Sequence, residues 1–284
     1  MGLRYPDFVC IGAQKAGTTW LHANLCGQPG VWLPPIKELQ YFNEVFIPEH
    51  RRWTRDHRRN HATTRLVKLV EAPVRPIDWT LVAELAHVAG GEISDAWYGQ
   101  VFDFAPQEAI TGELTPEYSL LPEEGIRHIL SLNRRTKIIF MVRDMIDRAW
   151  SHIRMLAAAH ENYPSVEDLV GLAGLADILD RSNYNAILSR WLALWPADQF
   201  LLLNYDDVSQ RPAYLLKMVG DFLGIPVDRL SLGDIWQHLH VGVPGVAPPE
   251  VCERLKEKFH PLYEEPHDLI AGIVAPWRSK HFSV

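Results

Sequence analysis

The stretch Val9–Trp20, VCIGAQKAGTTW, restricts what this chain can fold into more than any other part of it. Phe8 to Ile11 is a short apolar run with β-branched members, the pattern of a buried strand, and Thr18 to Leu25 reads as a helix. Gly12 and Gly17 bracket a tight loop between them. A strand, a glycine-bracketed loop and a helix start make an anion cradle: successive backbone N–H groups point into the loop, with the positive end of the helix dipole behind them. The nucleoside-triphosphate loop, GxxxxGK[ST], has lysine directly after its second glycine. Here Thr18 holds that place, and Lys15 stands two residues before Gly17. That disfavours an ordinary ATP or GTP loop. The structural alternative is a strand–turn–helix corner whose glycines serve packing only.

A second motif follows the most strand-like run of the chain, KIIFMV at Lys137–Val142. Arg143 opens RDMIDRAWSHIRM at the C-terminal end of that strand, where open α/β sheets bind ligands, and Ser151 lies eight residues on in the following helix. A guanidinium is a permanently charged, forked donor suited to phosphate oxygens. Read alone, Arg143-Asp144 could be a capping pair and Arg148 a surface charge. The pairing with VCIGAQKAGTTW, in this order, favours the phosphate role.

The loop IGAQKAGTT resembles the 5′-phosphosulfate loop of sulfotransferases that use 3′-phosphoadenosine 5′-phosphosulfate (PAPS), in its heparan-type and bacterial carbohydrate form; KAGTTW is also similar to the cytosolic branch. The R-D-x-x-x-R-x-x-S run from Arg143 to Ser151 resembles the 3′-phosphate motif of the same enzymes. KELQYF, within Ile36–Phe42, resembles the heparan-type segment whose glutamate is the general base, while a solvated Lys-Glu pair is its bland alternative. GELTPEYSLL resembles the E-x-[ST]-P-x-Y segment that lines the acceptor side, and SNYNAILSRWL the tyrosine-bearing helix that approaches adenine. The late unit QFLLLNYDDV, followed by FLG, is similar to a strand–helix unit of the family.

The resemblance implies an α/β, three-layer P-loop-like fold with a central, mainly parallel sheet flanked by helices. It implies in-line sulfuryl transfer from PAPS to an acceptor hydroxyl on a sugar, lipid or secondary metabolite, leaving 3′,5′-phosphoadenosine, with no metal. Lys15, Glu38 and Lys37 are then the catalytic residues: Lys15 neutralises the leaving oxygen, helped by N–H groups around Ala16 and Gly17 and by the Thr18 and Thr19 hydroxyls. Glu38 removes the acceptor proton, and Lys37 orients the sulfonate or tunes Glu38. Gln14, Lys15, Ala16, Gly17, Thr18, Thr19, Trp20, Arg143, Ser151 and Tyr184 bind the cofactor, with Trp20 stacking on adenine. A histidine base, His22 or a member of the His50–His61 cluster, is the rival to Glu38.

Two departures stand out. Leu114 occupies a place where several heparan-type enzymes carry lysine. The Pro/Gly-rich HVGVPGVAPPE (residues 240–250) lacks the KGR-like basic triplet that many sulfotransferases hold over the 3′-phosphate. Another cation, Arg181 or one from Arg51 to Arg59, would have to serve. Glu113 is read as a buried partner of Lys15 or Lys37, or as a strand-end carboxylate.

Composition excludes little but is consistent. A net charge of −7 argues against generic nucleic-acid binding. No apolar run reaches ~18 residues, so no membrane span is expected. Three scattered cysteines without CxxC spacing and an N-terminus lacking an apolar signal segment give a cytoplasmic expectation. The chain is expected to form a single domain over residues 1–284, with an irregular elaboration at about 44–93 holding five arginines and three histidines between His50 and His61. That charge run is read as a solvated face. Residues 177–196 have the spacing of one core-facing helix, and RPAYLLKMVGDFLGI that of an amphipathic helix closed by Gly224. A non-catalytic PAPS-binding protein and, behind it, a P-loop nucleotide kinase are the competing function classes.

Overall fold

The computed structural model describes residues 2–71, 76–159, 164–225 and 245–282. Strands β1 (Phe8–Gly12), β2 (Val31–Trp32), β3 (Ile110–Leu114), β4 (Lys137–Val142) and β5 (Phe200–Asn204) form one sheet in the order β2-β3-β1-β4-β5. Every pairing is parallel. Parallel strands need crossovers that cover the sheet faces, so their sequences read as unbroken apolar runs. FVCIG is buried at every position and KIIFMV at all but the first.

Helix α1 (Thr18–Leu25) follows β1, and α2 (Tyr41–Phe46), α3 (Arg51–Glu71), α4 (Trp79–Ala89) and α5 (Asp95–Asp103) fill the connection from β2 to β3. Helix α6 (Glu123–Leu132) leads into β4. Between β4 and β5 come α7 (Met145–Ala157), α8 (Val166–Leu172), α9 (Ala176–Asp180) and α10 (Tyr184–Leu192). After β5 come α11 (Asp206–Gln210), α12 (Pro212–Leu223), α13 (Pro249–Glu264) and α14 (Ala271–Phe282). No described helix is long and apolar enough to cross a membrane.

The chain fills one side of β1 with β2 and β3 before crossing to β4 and β5 on the other. The loops leaving the C-terminal ends of these strands therefore meet over β1, the place where such sheets hold ligands.

Two sequence expectations change. The region at 44–93 is irregular in hydropathy but helical in structure. Helix α3 buries only Thr54, Arg58 and Ala62, a stripe at every fourth residue that is polar at two of its three places. Arg58 is buried because it forms an ion pair with Glu44, donates to Leu39 O (3.0 Å) and lies 5.3 Å from the Trp97 ring centroid. The expected helix over 177–196 is split into α9 and α10. Asn183 caps α10 by accepting from Ala186 N–H (3.1 Å), an N-cap that starts a new helix inside a continuous apolar pattern.

Candidate active site

The loop bracketed by Gly12 and Gly17, the donor loop of the expected sulfuryl donor, is held in a conformation that glycine makes possible. Gly17 has φ +93°, and a Cβ on it would lie 2.8 Å from Tyr205 Cδ2. Gly12 has φ +137°, and a Cβ there would lie 2.8 Å from Pro116 O. Among the described residues three non-glycines are also left-handed: Lys15 (φ 67°), Glu38 (φ 70°) and Gln40 (φ 58°). Each costs about 1–2 kcal/mol, and such strain persists where the surroundings over-determine it. All three are in this site. Helix α1 has no side-chain cap, and the Thr18 and Thr19 N–H groups find no backbone acceptor among the described residues. They are open to an anion. The Ala16 N–H, expected to help Lys15, is instead used on Ala13 O (3.1 Å) inside the loop.

Cations converge on this loop from the end of β4 and from α7. Arg143, directly after β4, donates to Lys15 O (3.0 Å) and lies 4.5 Å from the Tyr205 ring centroid. The Tyr184 hydroxyl accepts from Arg143 N (3.2 Å) and donates to Arg143 O (2.8 Å). Tyr184 is buried, so its hydroxyl is committed to fixing the Arg143 backbone. Arg148 is no surface charge: at 0% exposure it donates to Ser182 Oγ, Ile178 O and, at 3.4 Å, Gln14 O. Ser151 is half-buried on α7, and its hydroxyl makes no hydrogen bond among the described residues. Trp20 is 4% exposed and packs in the core, which leaves no open ring face for stacking.

The crowding of like charges shows in the titration behaviour. Burial, then Arg143 and Arg154, hold the Lys15 ammonium below its ordinary value. Burial lowers Arg148 to about 10, with Arg181 and Arg143 adding to it. His152 falls to about 2 through burial, Arg148, Arg181 and Lys15. Lys15 and Arg143 have no carboxylate ion pair among the described residues. A phosphate or sulfonate anion fits such a set: it would relieve the repulsion and use the open α1 donors. Three of the substitute cations are already engaged, while Arg52, Arg55 and Arg59 are exposed. Arg181 is buried and paired with Asp177, Arg58 with Glu44, and Arg51 donates to Glu44 O (3.2 Å). Residues 240–244 of the Pro/Gly-rich loop lie outside the described residues.

Carboxylates lie close to these cations, and the Glu38 charge acts on Lys15. Lys37 Nζ meets Glu38 Oε1 at 2.6 Å, with both side chains partly exposed. Burial pushes the Glu38 carboxyl up, but Lys37, by charge and hydrogen bond, with His57 and His61, outweighs it and keeps Glu38 below its ordinary value. The His57 Nε2 approaches Lys37 O (3.4 Å), and its ring stacks on His61 with centroids 4.3 Å apart. The Arg/His run is therefore only partly a solvated face. Burial, followed by Lys37 and Arg65, lowers His22 to about 4.

Gln40 Nε2 donates to Glu38 Oε2 (3.2 Å) and to Glu117 Oε2 (3.0 Å), while Gln14 Nε2 donates to Glu117 Oε1 (3.1 Å). A continuous set of hydrogen bonds thus joins the donor loop to Glu38. Glu113 partners neither lysine. It accepts from the hydroxyls of Tyr98, Thr115 (2.8 Å) and Tyr118 (3.1 Å), and burial pushes it up to about 7. Leu114 is buried beside it.

Gln40, Glu117 and Tyr205 belong to the site although no sequence signal gave them a role, and Asp144, read in the sequence as half of a capping pair, belongs to it too. Asp144 caps α7 and is held by Tyr263 (3.0 Å) and His281 (2.8 Å), so α14 clamps the segment that carries Arg143. The only available signal was position: Gln40 two residues past Glu38, and Glu117 inside the T-P-x-Y segment.

Residues 6–229 match the family model described as Sulfotransferase family. Heparan sulfate glucosamine 3-O-sulfotransferase 3A1 of Mus musculus is 32% identical over 137 residues, 46% of this chain and 35% of that protein. Heparan sulfate glucosamine 3-O-sulfotransferase 5 of Mus musculus is 27% identical over 210 residues, 64% of this chain and 60% of that protein. The matched stretch thus spans only part of each relative's length. The sulfotransferase from Alicyclobacillus acidocaldarius superposes with a TM-score of 0.66 at 21% identity, covering 97% of this chain and 100% of that one, a likeness of fold. With its motifs gathered at one sheet edge and the family model matching most of its length, the chain belongs to the Sulfotransferase family.

Proposed function

We propose that this chain transfers a sulfuryl group from PAPS to an acceptor hydroxyl. The observation that carries the reading is the nearness of two opposed sets: the cations Lys15 and Arg143, without a carboxylate partner among the described residues, and the carboxylate Glu38, whose charge acts on Lys15. PAPS supplies an activated sulfuryl group on a phosphate leaving group. The Gly17–Thr19 N–H groups, the Thr18 and Thr19 hydroxyls and Lys15 Nζ hold the 5′ anion, and Lys15 stabilises the charge that grows on the departing oxygen. Arg143 and Ser151 hold the 3′-phosphate, with Tyr184 fixing the Arg143 backbone. Gln14 and Ala16 shape the loop, and Trp20 supports α1 from the core.

Glu38 takes the acceptor proton as general base. Its lowered value keeps it ionised at neutral pH, and the Lys37 ammonium at 2.6 Å fixes its direction. The acceptor class follows the printed names of the relatives, which act on a glucosamine of heparan sulfate: a hydroxyl on a sugar, with glucosamine-containing oligosaccharides as the first to try. Calorimetry should show much tighter binding of 3′,5′-phosphoadenosine than of AMP. Incubation with PAPS and a panel of sugar, lipid and small-molecule alcohols should then yield a sulfated product by mass spectrometry. Equal affinities for the two nucleotides would overturn the reading.

A further inference from the structure

A row of aromatic rings along α3 is only partly used by the chemistry above. His50, in the 3₁₀ turn that leads into α3, begins it, and Trp53, His57 and His61 continue it. Steps of three and four residues keep these rings on one side of the helix, apart from the buried stripe of Thr54, Arg58 and Ala62. Consecutive ring centroids are 5.2, 6.4 and 4.3 Å apart, so the row is unbroken. From Trp53 to His61 it runs about 12 Å along the helix axis.

Both ends of the row lead back to the site. His57 Nε2 lies 3.4 Å from Lys37 O, and the charges of His57 and His61 act on Glu38, which is itself partly exposed. At the other end the charges of Arg181 and Asp177 act on His50, and Arg181 and Glu38 both act on Glu117. Trp53, between the two ends, is 38% exposed, and among the described residues no ring stacks parallel on it.

A surface of this make-up suits a sugar. The face of an aromatic ring is the negative side of its quadrupole, and a pyranose presents a face of weakly positive C–H groups to it. The hydroxyls of the sugar stand at the rim, where imidazole nitrogens donate or accept. Burial holds His50 and His57 below the ordinary histidine value, so at pH 7 both rings are neutral and offer an acceptor as well as a donor. Four arginines of α3 are directed elsewhere. Arg51 and Arg58 are held by Glu44, and Arg55 and Arg59 line a cavity with residues 88–93 on the α4 side.

We propose that His50, Trp53, His57 and His61 form a stacking subsite for the acceptor: with one sugar ring presented to Glu38, the rings that follow it lie along this row, on the open platform of Trp53. This rests on the reading of Glu38 as the base for a sugar hydroxyl. The acceptor is then an oligosaccharide rather than a lone alcohol, and its further rings are held by stacking rather than by charge.

The test is NMR titration of the full chain with glucose, with N-acetylglucosamine and with the β-linked tetramer of each. Wild type should bind at least one tetramer more tightly than its monosaccharide, and the gain should survive a rise in NaCl, which screens charges but not stacking. Trp53→Ala should lower that gain about 2- to 12-fold, the worth of one aromatic pair, while Trp53→Phe, which keeps a ring, should retain most of it. Trp53 lies outside the core, and the affinity of each variant for 3′,5′-phosphoadenosine checks its fold. Tetramers bound no better than monosaccharides, a gain that Trp53→Ala leaves intact, or a gain abolished by salt would overturn the proposal. Mass spectrometry after incubation with PAPS separates the two readings. A tetramer bound through Trp53 but never sulfated would sink the sugar-transfer reading and leave the row as a sugar-binding surface. A tetramer sulfated equally well by wild type and Trp53→Ala would sink the subsite and leave that reading standing.

Discussion

Replacement of Arg143 by alanine separates nucleotide recognition from loop architecture, because the proposed function gives the guanidinium both tasks. It donates to Lys15 O (3.0 Å) and lies over the Tyr205 ring (4.5 Å), and under the proposed function it also contacts the 3′-phosphate. Losing the loop contacts weakens the grip on the 5′ anion, which 3′,5′-phosphoadenosine and AMP share. Losing the phosphate contact weakens only the nucleotide with a 3′-phosphate. The ratio of the two affinities therefore cancels the architectural damage. A hydrogen bond to a charged group is worth about 1.5–3 kcal/mol, so the preference should fall about 10- to 150-fold. Calorimetry of both nucleotides with wild type, Arg143→Ala and Tyr205→Leu reads it. Tyr205→Leu removes the ring under the guanidinium and should lower affinity for both nucleotides alike while keeping the ratio. An unchanged ratio in Arg143→Ala would refute the assignment and leave Arg143 as a strut of the loop.

The other outcomes concern chemistry and stability. Lys15→Ala should keep the fold and lower turnover by ~10²–10³, as loss of a donor aimed at developing charge does, and near-normal turnover would make Lys15 structural. Glu38→Gln should bind 3′,5′-phosphoadenosine normally while kcat falls ~10²–10⁴. Because the Glu38 value is lowered, wild-type activity should hold as pH falls to 4.5 and be lost only below it, and that limb should vanish in the variant; if a substitution of His22 or His57 abolishes turnover while Glu38→Gln stays active, the base is the histidine. Glu113, raised from 4.5 to about 7, contributes the opposite slope: its folded form prefers the proton, so stability is full below about pH 4.5 and falls as pH rises toward 7, by about 3 kcal/mol. Denaturant titrations at pH 5 and pH 8 should show that loss, reduced in Glu113→Gln, and a wild-type stability flat across this range would contradict it.

The sequence alone carried the parts of this protein that depend on near neighbours in the chain. A strand, a bracketed loop and a helix in Val9–Trp20 are local events, dictated by β-branched runs, by glycine at positive φ and by the start of a helical pattern, and all three form where the residues predict. The parallel sheet follows from apolar runs separated by helical stretches, and the placement of Arg143 from the end of such a run. What only the tertiary structure decided is how polar residues far apart in sequence satisfy one another. Arg148 is indistinguishable from a surface arginine until α9 and the donor loop close over it. Helix α3 shows no apolar stripe because its buried face is an arginine paired with Glu44 on α2. Glu113 had two lysines as candidate partners and found two tyrosines and a threonine. Glu117 and Gln40 lie inside recognised segments but at places that carry no signal of their own, since a hydrogen bond spanning 77 residues leaves no periodicity to read. Apolar burial is non-directional and leaves its pattern in every segment, whereas a hydrogen bond exists only once both partners are fixed in space.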